Sequence, residues 1–348
     1  MGRPLRHPAR RPAVHRPPAA GRPPRRPDRR PPGGAAIVSG DPSGRRPAAA
    51  DFLSFLAAVR PAIDRSLDRL LPPADAPPAR LHEAMRYSTF AGGKRIRPAL
   101  AVLAGETLGL ARDAVLPGGG ALEMIHTYSL IHDDLPALDD DDLRRGRPTL
   151  HRQYGEALAI LAGDALLTLG LTTLAAHPEG AAPAARQRAV AMVGEAISSR
   201  GMIGGQVDDL EAENNWPEDR DQAAALLEAI HRRKTGNLLT ACLRLAGIYA
   251  GAGDGEDRLL DELGHRIGLL FQIADDVIDV EGTDEALGKT AGKDAANRKL
   301  TYPALYGLDG AKRLLAETRD QALALAARLP RAGGLFPSLI HYLATRDR

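Results

Sequence analysis

The stretch GALEMIHTYSLIHDDLPALDDDD, residues 120–142, decides how the chain is read. Its first half is helical. Leu122, His126, Ser129 and Asp133 follow at steps of four, three and four residues, which places them on one stripe of a helix. Pro136 disfavours helical backbone at the residue before it, so the helix is expected to end near Asp134. Asp139 lies six residues past Asp133 and shares its face only if the chain bends at Pro136. A second acidic group, Asp275-Asp276-Val277-Ile278-Asp279, comes later in the chain. There Gln272, Asp275 and Asp279 line one helical face, with Asp276 four residues from Gln272. The apolar stripe Leu263, Ile267, Leu270, Phe271, Ala274 and Ile278 runs beside them. Carboxylates set into an apolar wall cost desolvation unless something pairs with them. A divalent cation is the simplest partner for several of them. Hard oxygen ligands suit magnesium, which completes its shell with water and substrate phosphates. Two such clusters facing each other would hold a diphosphate between them.

Working outward, the rest of the chain is also helical in pattern. Alanine and leucine are abundant and aromatics make up 4% of the 348 residues, which favours helix. No run alternates with period two over a useful length, and there is no GxGxxG. From Asp51 onward the chain reads as a single all-α domain of about ten helices. Turns are expected at Pro72-Pro73, Pro77-Pro78, Pro117-Gly118-Gly119-Gly120, Pro178-Glu179-Gly180, Gly251–Gly255 and Gly333-Gly334. The most apolar window, 157–176, is interrupted by Asp164 and threonines and reads as a buried core helix, with no stable membrane insertion. The single Cys242 excludes an internal disulfide and a multi-cysteine zinc site, and reads as a buried inert thiol.

The formal charge of +2 conceals an asymmetry. Residues 1–50 hold 12 arginines against Asp28 and Asp41, about +10, and 12 of the 27 prolines. Such a segment buries too little apolar surface to offset its ordering entropy and is expected to be a disordered, dispensable arm. A basic arm for RNA or anionic lipid, and a start codon assigned too far upstream, are the other readings. It lacks the apolar core of a secretory signal, so a cytoplasmic location is expected. The remainder carries 34 basic against 42 acidic residues, about −8, with no nucleic-acid footprint.

Cations complete the pattern. Gly92-Gly93-Lys94-Arg95-Ile96-Arg97-Pro98 puts three of them in four residues. Arg144-Arg145 follows the first aspartate cluster, and Gly288-Lys289 and Gly292-Lys293-Asp294 follow the second. Lys234 falls on an apolar stripe with Leu227, Ile230, Leu238, Ala241 and Leu245. That stripe suits either a snorkelling lysine or a cation aimed at an interior anionic site. Acidic and basic segments interleaved in this order are the pattern expected for two diphosphates, one held through metals and one held directly.

At this point the chain resembles the trans-prenyltransferases, and among them the bacterial farnesyl diphosphate synthases, from about Asp51 to the C-terminus. The strings that carry the resemblance are GGKRIRP at 92–98, HTYSLIHDDLPALDDDDLRRGRPT at 126–149, GGQVDDLEAE at 204–213, KTGNLL at 234–239, FQIADDVIDVEG at 271–282, GKTAGKD at 288–294 and KLTYP at 299–303. The resemblance implies an isoprenoid-synthase bundle around a central cavity, a homodimer, and three magnesium ions per site, for which manganese can substitute. It implies metal binding by Asp133, Asp139 and Asp275, with Asp134, Asp276 and Asp279 in the same clusters. By the same resemblance Arg144, Lys234 and Lys289 contact the allylic diphosphate. Lys94, Arg97, His126 and Arg145 form the isopentenyl diphosphate pocket, and Thr235 and Gln272 face the allylic carbocation. Tyr128 and Ser129, one to two turns before Asp133, would form the floor that limits product length. Together with the extra Pro136-Ala137, an aromatic at Tyr128 goes with a fifteen-carbon product. The alternatives are a synthase of another chain length such as geranylgeranyl diphosphate, a class I terpene cyclase, and a non-catalytic partner subunit. A cyclase usually replaces the second DDxxD and lacks GGKRIRP, and partner subunits typically lose aspartates that are all present here.

Overall fold

Segments rich in alanine and leucine become helices in the structure, a computed structural model that describes residues 49–213, 215–281 and 299–346. Lys289 and all but the end of the Arg/Pro-rich arm lie outside the described residues. The helices are α1 (Ala49–Leu70), α2 (Ala79–Thr89), α3 (Ile96–Thr107), α4 (Arg112–Asp133), α5 (Leu150–Tyr154), α6 (Glu156–Ala176), α7 (Pro183–Ile197), α8 (Met202–Ala212), α9 (Arg220–His231), α10 (Asn237–Ala250), α11 (Asp254–Glu281), α12 (Tyr302–Ala326) and α13 (Phe336–Thr345). A π turn, Arg232–Gly236, joins α9 to α10, and a 3-10 turn, Pro330–Gly333, precedes α13. The ends follow local chemistry. Asp219 caps α9 by accepting the Gln222 N–H at 2.9 Å, and Gly251 closes α10 in the left-handed conformation.

Two helices are apolar nearly all round, and that places them at the centre. In α4 the residues from Leu116 to Ile125 are buried except Pro117, and in α10 Leu238 to Leu243 are all buried. Around them pack α3, α6, α7 and α11, so the main core is continuous from Phe52 in α1 to Leu343 in α13. The Phe52 amide donates to Ser338 Oγ at 2.8 Å and ties the first described helix to the last. A smaller apolar cluster joins α9, α11 and α12 through Leu227, Ile273, Val277, Leu300 and Tyr302.

Two expectations are corrected, while the all-α reading holds. Pro117-Gly118-Gly119-Gly120 is no turn but part of α4. A Cβ at Gly118 would meet Leu245 and Tyr249 at 2.9 Å, at Gly119 Pro98 at 3.2 Å, and at Gly120 Leu70 at 2.8 Å. The triplet is there because α10, α3 and α1 all approach α4 at this level. Next, α6 is a core helix on one face only: α4 and α7 cover that face, while Ile160 and Leu161 are 44% and 56% exposed. By length and hydropathy it would also suffice to cross a membrane, yet it packs along α4. Finally, the described residues include one small hairpin, β1 (Leu143–Arg144) and β2 (Arg147–Pro148), with Leu143 opposite Pro148 and Arg144 opposite Arg147. Its two loop residues, Arg145 and Gly146, have φ of 54° and 73°, the type I′ turn that matches strand twist.

α10 and α11 approach closely at Gly264 and Gly268. A Cβ at Gly268 would stand 2.8 Å from the Gly236 Cα in the π turn. Backbone cannot yield as a side chain does, so Gly268→Ala is expected to cost about 1–3 kcal/mol. Urea unfolding checks it against Gly253→Ala, where nothing lies within 4 Å of the added carbon.

Candidate active site

α4 delivers the first aspartates where its backbone runs out. The helix ends at Asp133 with Asp134 as its cap, where Pro136 placed the stop, and Leu135 is buried beneath the turn that follows. The Asp139 N–H donates to the Asp133 carbonyl at 2.8 Å, so the bend brings the two aspartates together as the spacing required. Burial pushes the Asp133 carboxyl up to about 6. Lys234 and Arg144 oppose the rise, and Asp139 and Asp134 add to it. Asp134 turns the other way. It is buried and takes both Nε and Nη2 of Arg144, at 2.7 and 2.6 Å.

The type I′ turn sends the two neighbouring arginines in different directions. While Arg144 is engaged by Asp134, Arg145 donates to the Gly92 carbonyl across the loop ahead of α3. Lys94, Arg97, His126 and Arg145 all line one cavity of about 680 Å³, together with Glu123, Phe271 and Arg346. Four residues from two separate strings of sequence are thereby gathered around one space. The Arg97 Nε is buried with no protein hydrogen-bond partner. Burial lowers the Arg97 guanidinium from its ordinary value and pushes His126 well down, with Arg97, Arg145, Arg144 and Arg95 adding to the effect on His126. The cavity is an excess of positive charge around a neutral imidazole, the chemistry of an anion site.

The wall of this cavity is held from behind. Arg95, buried and left-handed at φ 56°, donates to Asp64 at 2.9 Å, to Glu123 at 2.9 Å and to the Thr89 carbonyl at 2.7 Å.

The second acidic group lies on α11. Asp275 Oδ1 accepts from Arg346 at 2.7 Å. That guanidinium also donates to the Phe271 carbonyl at 3.0 Å and covers the Phe271 ring at 4.0 Å. Asp279, a turn further on, is half-buried. Asp276 is buried, and its Oδ2 accepts the Tyr302 N–H at 2.9 Å. Lys234 and Thr235 sit in the π turn, a rare geometry that often marks functional positions. Lys234 Nζ donates to Asp209 at 2.6 Å, and Lys299 Nζ is 4.0 Å from the same carboxylate. Burial alone would raise Asp209, but Lys234 and Lys299 outweigh it and hold the carboxyl below its usual range. Gln272 stands one turn along α11 from the glycine that packs on the π turn, and is half-buried.

Among the described residues no three or more His, Cys, Asp or Glu side chains converge into a closed metal cage. Magnesium does not need one, since it usually takes one or two carboxylates and fills its shell from water and phosphate. A carboxylate pushed up to about 6 beside two others is a donor set short of positive charge, which a divalent cation fits.

Tyr128 lies behind this ensemble, 5% exposed, with its ring edge-on to His132 at a centroid distance of 5.7 Å. Burial, and then Asp133, push its hydroxyl up to about 12, so the ring presents a neutral wall. Ser129 Oγ donates back to the His126 carbonyl at 2.9 Å. Cys242 is buried, donates to the Leu238 carbonyl, and burial pushes its thiol up to about 12, which makes it inert as expected.

The structure adds residues that the sequence reading did not single out. Glu123, Asp209, Lys299 and His231 sit directly behind the expected ones. Arg346 enters from the far end of the chain, where Arg-Asp-Arg reads like a solvated tail.

The polyprenyl synthetase profile matches residues 78–328. The farnesyl diphosphate synthase of Bacillus subtilis is 42% identical over 297 residues, which are 84% of this chain and 98% of that protein. The chloroplastic heterodimeric geranylgeranyl pyrophosphate synthase large subunit 1 of Arabidopsis thaliana is 44% identical over 283 residues, 80% of this chain and 75% of that one. Among solved structures, a FPP/GFPP synthase from Zymomonas mobilis superposes with a TM-score of 0.75 at 35% identity, covering 85% of this chain and all of the other.

His231 yields a pH prediction. Burial lowers it to about 4, with Lys299 and Lys234 adding and Asp209 opposing, and its Nδ1 has no partner. The fold therefore prefers the neutral ring. Its contribution is intact above the unfolded value near 6.5 and is lost as pH falls toward 4, up to about 3 kcal/mol. Melting temperature should decline over that window, and His231→Gln should flatten this part of the decline.

Proposed function

The chain belongs to the polyprenyl synthetase family, and we propose that it condenses isopentenyl diphosphate with dimethylallyl and then geranyl diphosphate and stops at farnesyl diphosphate. Chain elongation by prenyl transfer is the activity of the family; the starter and the product length are the proposal. The observation that supports it most is the single cavity gathering Lys94, Arg97, His126 and Arg145 beside both aspartate-bearing helices.

In this reading those four residues hold the isopentenyl diphosphate. Magnesium held by Asp133, Asp139, Asp275 and Asp279 would neutralise charge on the allylic diphosphate as its C–O bond breaks. Lys234, and with it Arg144 and Lys289, supplies further positive charge to the same leaving group. Gln272 and Thr235 face the allylic cation with neutral dipoles, which steady it without trapping it as a carboxylate would. The isopentenyl double bond attacks that cation, and the departing diphosphate takes the proton that leaves. Tyr128 closes the far end of the tail's path.

Product analysis with isopentenyl diphosphate and labelled dimethylallyl diphosphate is expected to give mainly farnesyl diphosphate. Tyr128→Ala is expected to let twenty-carbon and longer products accumulate. Asp133→Ala or Asp275→Ala should lower kcat by on the order of a hundredfold or more in saturating magnesium. A wild type that makes mainly geranylgeranyl diphosphate, the product named for several relatives, would favour that second reading and keep prenyl transfer.

The exposed apolar face of α6 around Ile160 and Leu161 supports a homodimer built on that helix. Sedimentation at micromolar concentration is expected to give a dimer, and Leu161→Asp a monomer.

A further inference from the structure

We propose that Asp276 is a positioning residue that docks the start of α12, and that it holds no metal. Asp275 and Asp276 are consecutive on α11, so their side chains leave the helix about 100° apart. Asp275 points to the side of Phe271 and Arg346, where the cavity lies. Asp276 is 8% exposed and lies on the side of Ile273, three residues earlier, which packs in the smaller apolar cluster that also holds Leu300 and Tyr302.

Its bond identifies the task. Tyr302 N–H belongs to the first turn of α12, where amides lack intrahelical acceptors. Thr301 Oγ1 accepts from the Ala304 N–H at 3.3 Å, and Asp276 Oδ2 accepts from the Tyr302 N–H at 2.9 Å. A carboxylate is favoured there by the helix dipole as well. The segment so pinned carries Lys299, which faces Asp209, which in turn holds Lys234. The Tyr302 ring lies 5.4 Å from His231 on the other side of the same junction. Asp276 thus acts on the site through the placement of Lys299 and Tyr302. The first cluster is built alike: Asp134, the second of its pair, is buried against Arg144 while Asp133 keeps the outward position.

The proposal uses the prenyl-transfer reading only for its activity arm. Melting temperature in EDTA tests the dock without any metal. Asp276→Ala is expected to melt roughly 2–5 °C lower, whereas Asp276→Asn, which keeps an acceptor oxygen, melts within about 1 °C of wild type. In activity assays Asp276→Asn keeps the wild-type magnesium half-saturation within about twofold, while Asp275→Asn loses turnover on the order of a hundredfold. An Asp276→Asn variant with unshifted melting and a tenfold higher magnesium requirement would overturn the proposal, as would an Asp276→Ala variant that melts like wild type. Full turnover in Asp275→Asn would instead sink the metal reading of the second cluster, and the melting series would still decide the role of Asp276.

Discussion

The Arg95 guanidinium is the joint on which the basic side of the site hangs. It reaches α1 through Asp64, α4 through Glu123 and the end of α2 through the Thr89 carbonyl. A buried ion pair of this kind adds little net stability against a well-packed apolar alternative, yet removing one partner strands a charge at a cost of about 3–5 kcal/mol. Its value is directional. Arg95 is itself left-handed, and its side-chain bonds fix the entry into α3, so Lys94 just before it and Arg97 in the first turn are presented to the cavity. Glu123 stands three residues before His126 on α4, so the same contact sets the depth of that helix relative to the loop.

The cavity and the aspartate clusters carry opposite surpluses, and three ion pairs offset part of them. Arg346 answers Asp275, Lys234 answers Asp209, and Arg144 answers Asp134. The Arg346–Asp275 pair joins an almost fully buried guanidinium to a half-exposed carboxylate. Losing Asp275 would strand a buried guanidinium, while the half-exposed carboxylate itself stays within reach of solvent.

Much of this was legible from residue spacing. The stripe from Leu122 to Asp133, the stop forced by Pro136, and the face shared by Gln272, Asp275 and Asp279 are local properties of helical periodicity, and the structure follows them. What escaped was set by contacts between distant segments. Three glycines after a proline look like a turn, and only the nearness of α1, α3 and α10 explains why a helix carries glycine there. Asp134 and Asp276 are chemically identical to their neighbours; which carboxylate faces inward depends on Arg144 and Tyr302, the latter 26 residues away. Arg346 is invisible for the same reason, being 71 residues from Asp275. The hairpin after the first cluster is too short for any alternation to show.

The π turn at Arg232–Gly236 has a consequence for how this stretch tolerates change in length. A π turn is one residue more than an α-helix needs, and its backbone is less favourable than the helix on either side. Deleting a single residue there would let α9 and α10 fuse into one regular helix with better hydrogen bonds. The same deletion would rotate everything before it by about 100° relative to everything after it. Leu227 would leave its cluster or Leu238 and Leu245 would leave theirs, and Lys234 would swing off Asp209. The chain carries a surplus residue at a place where removing it would mend the backbone and dismantle the site.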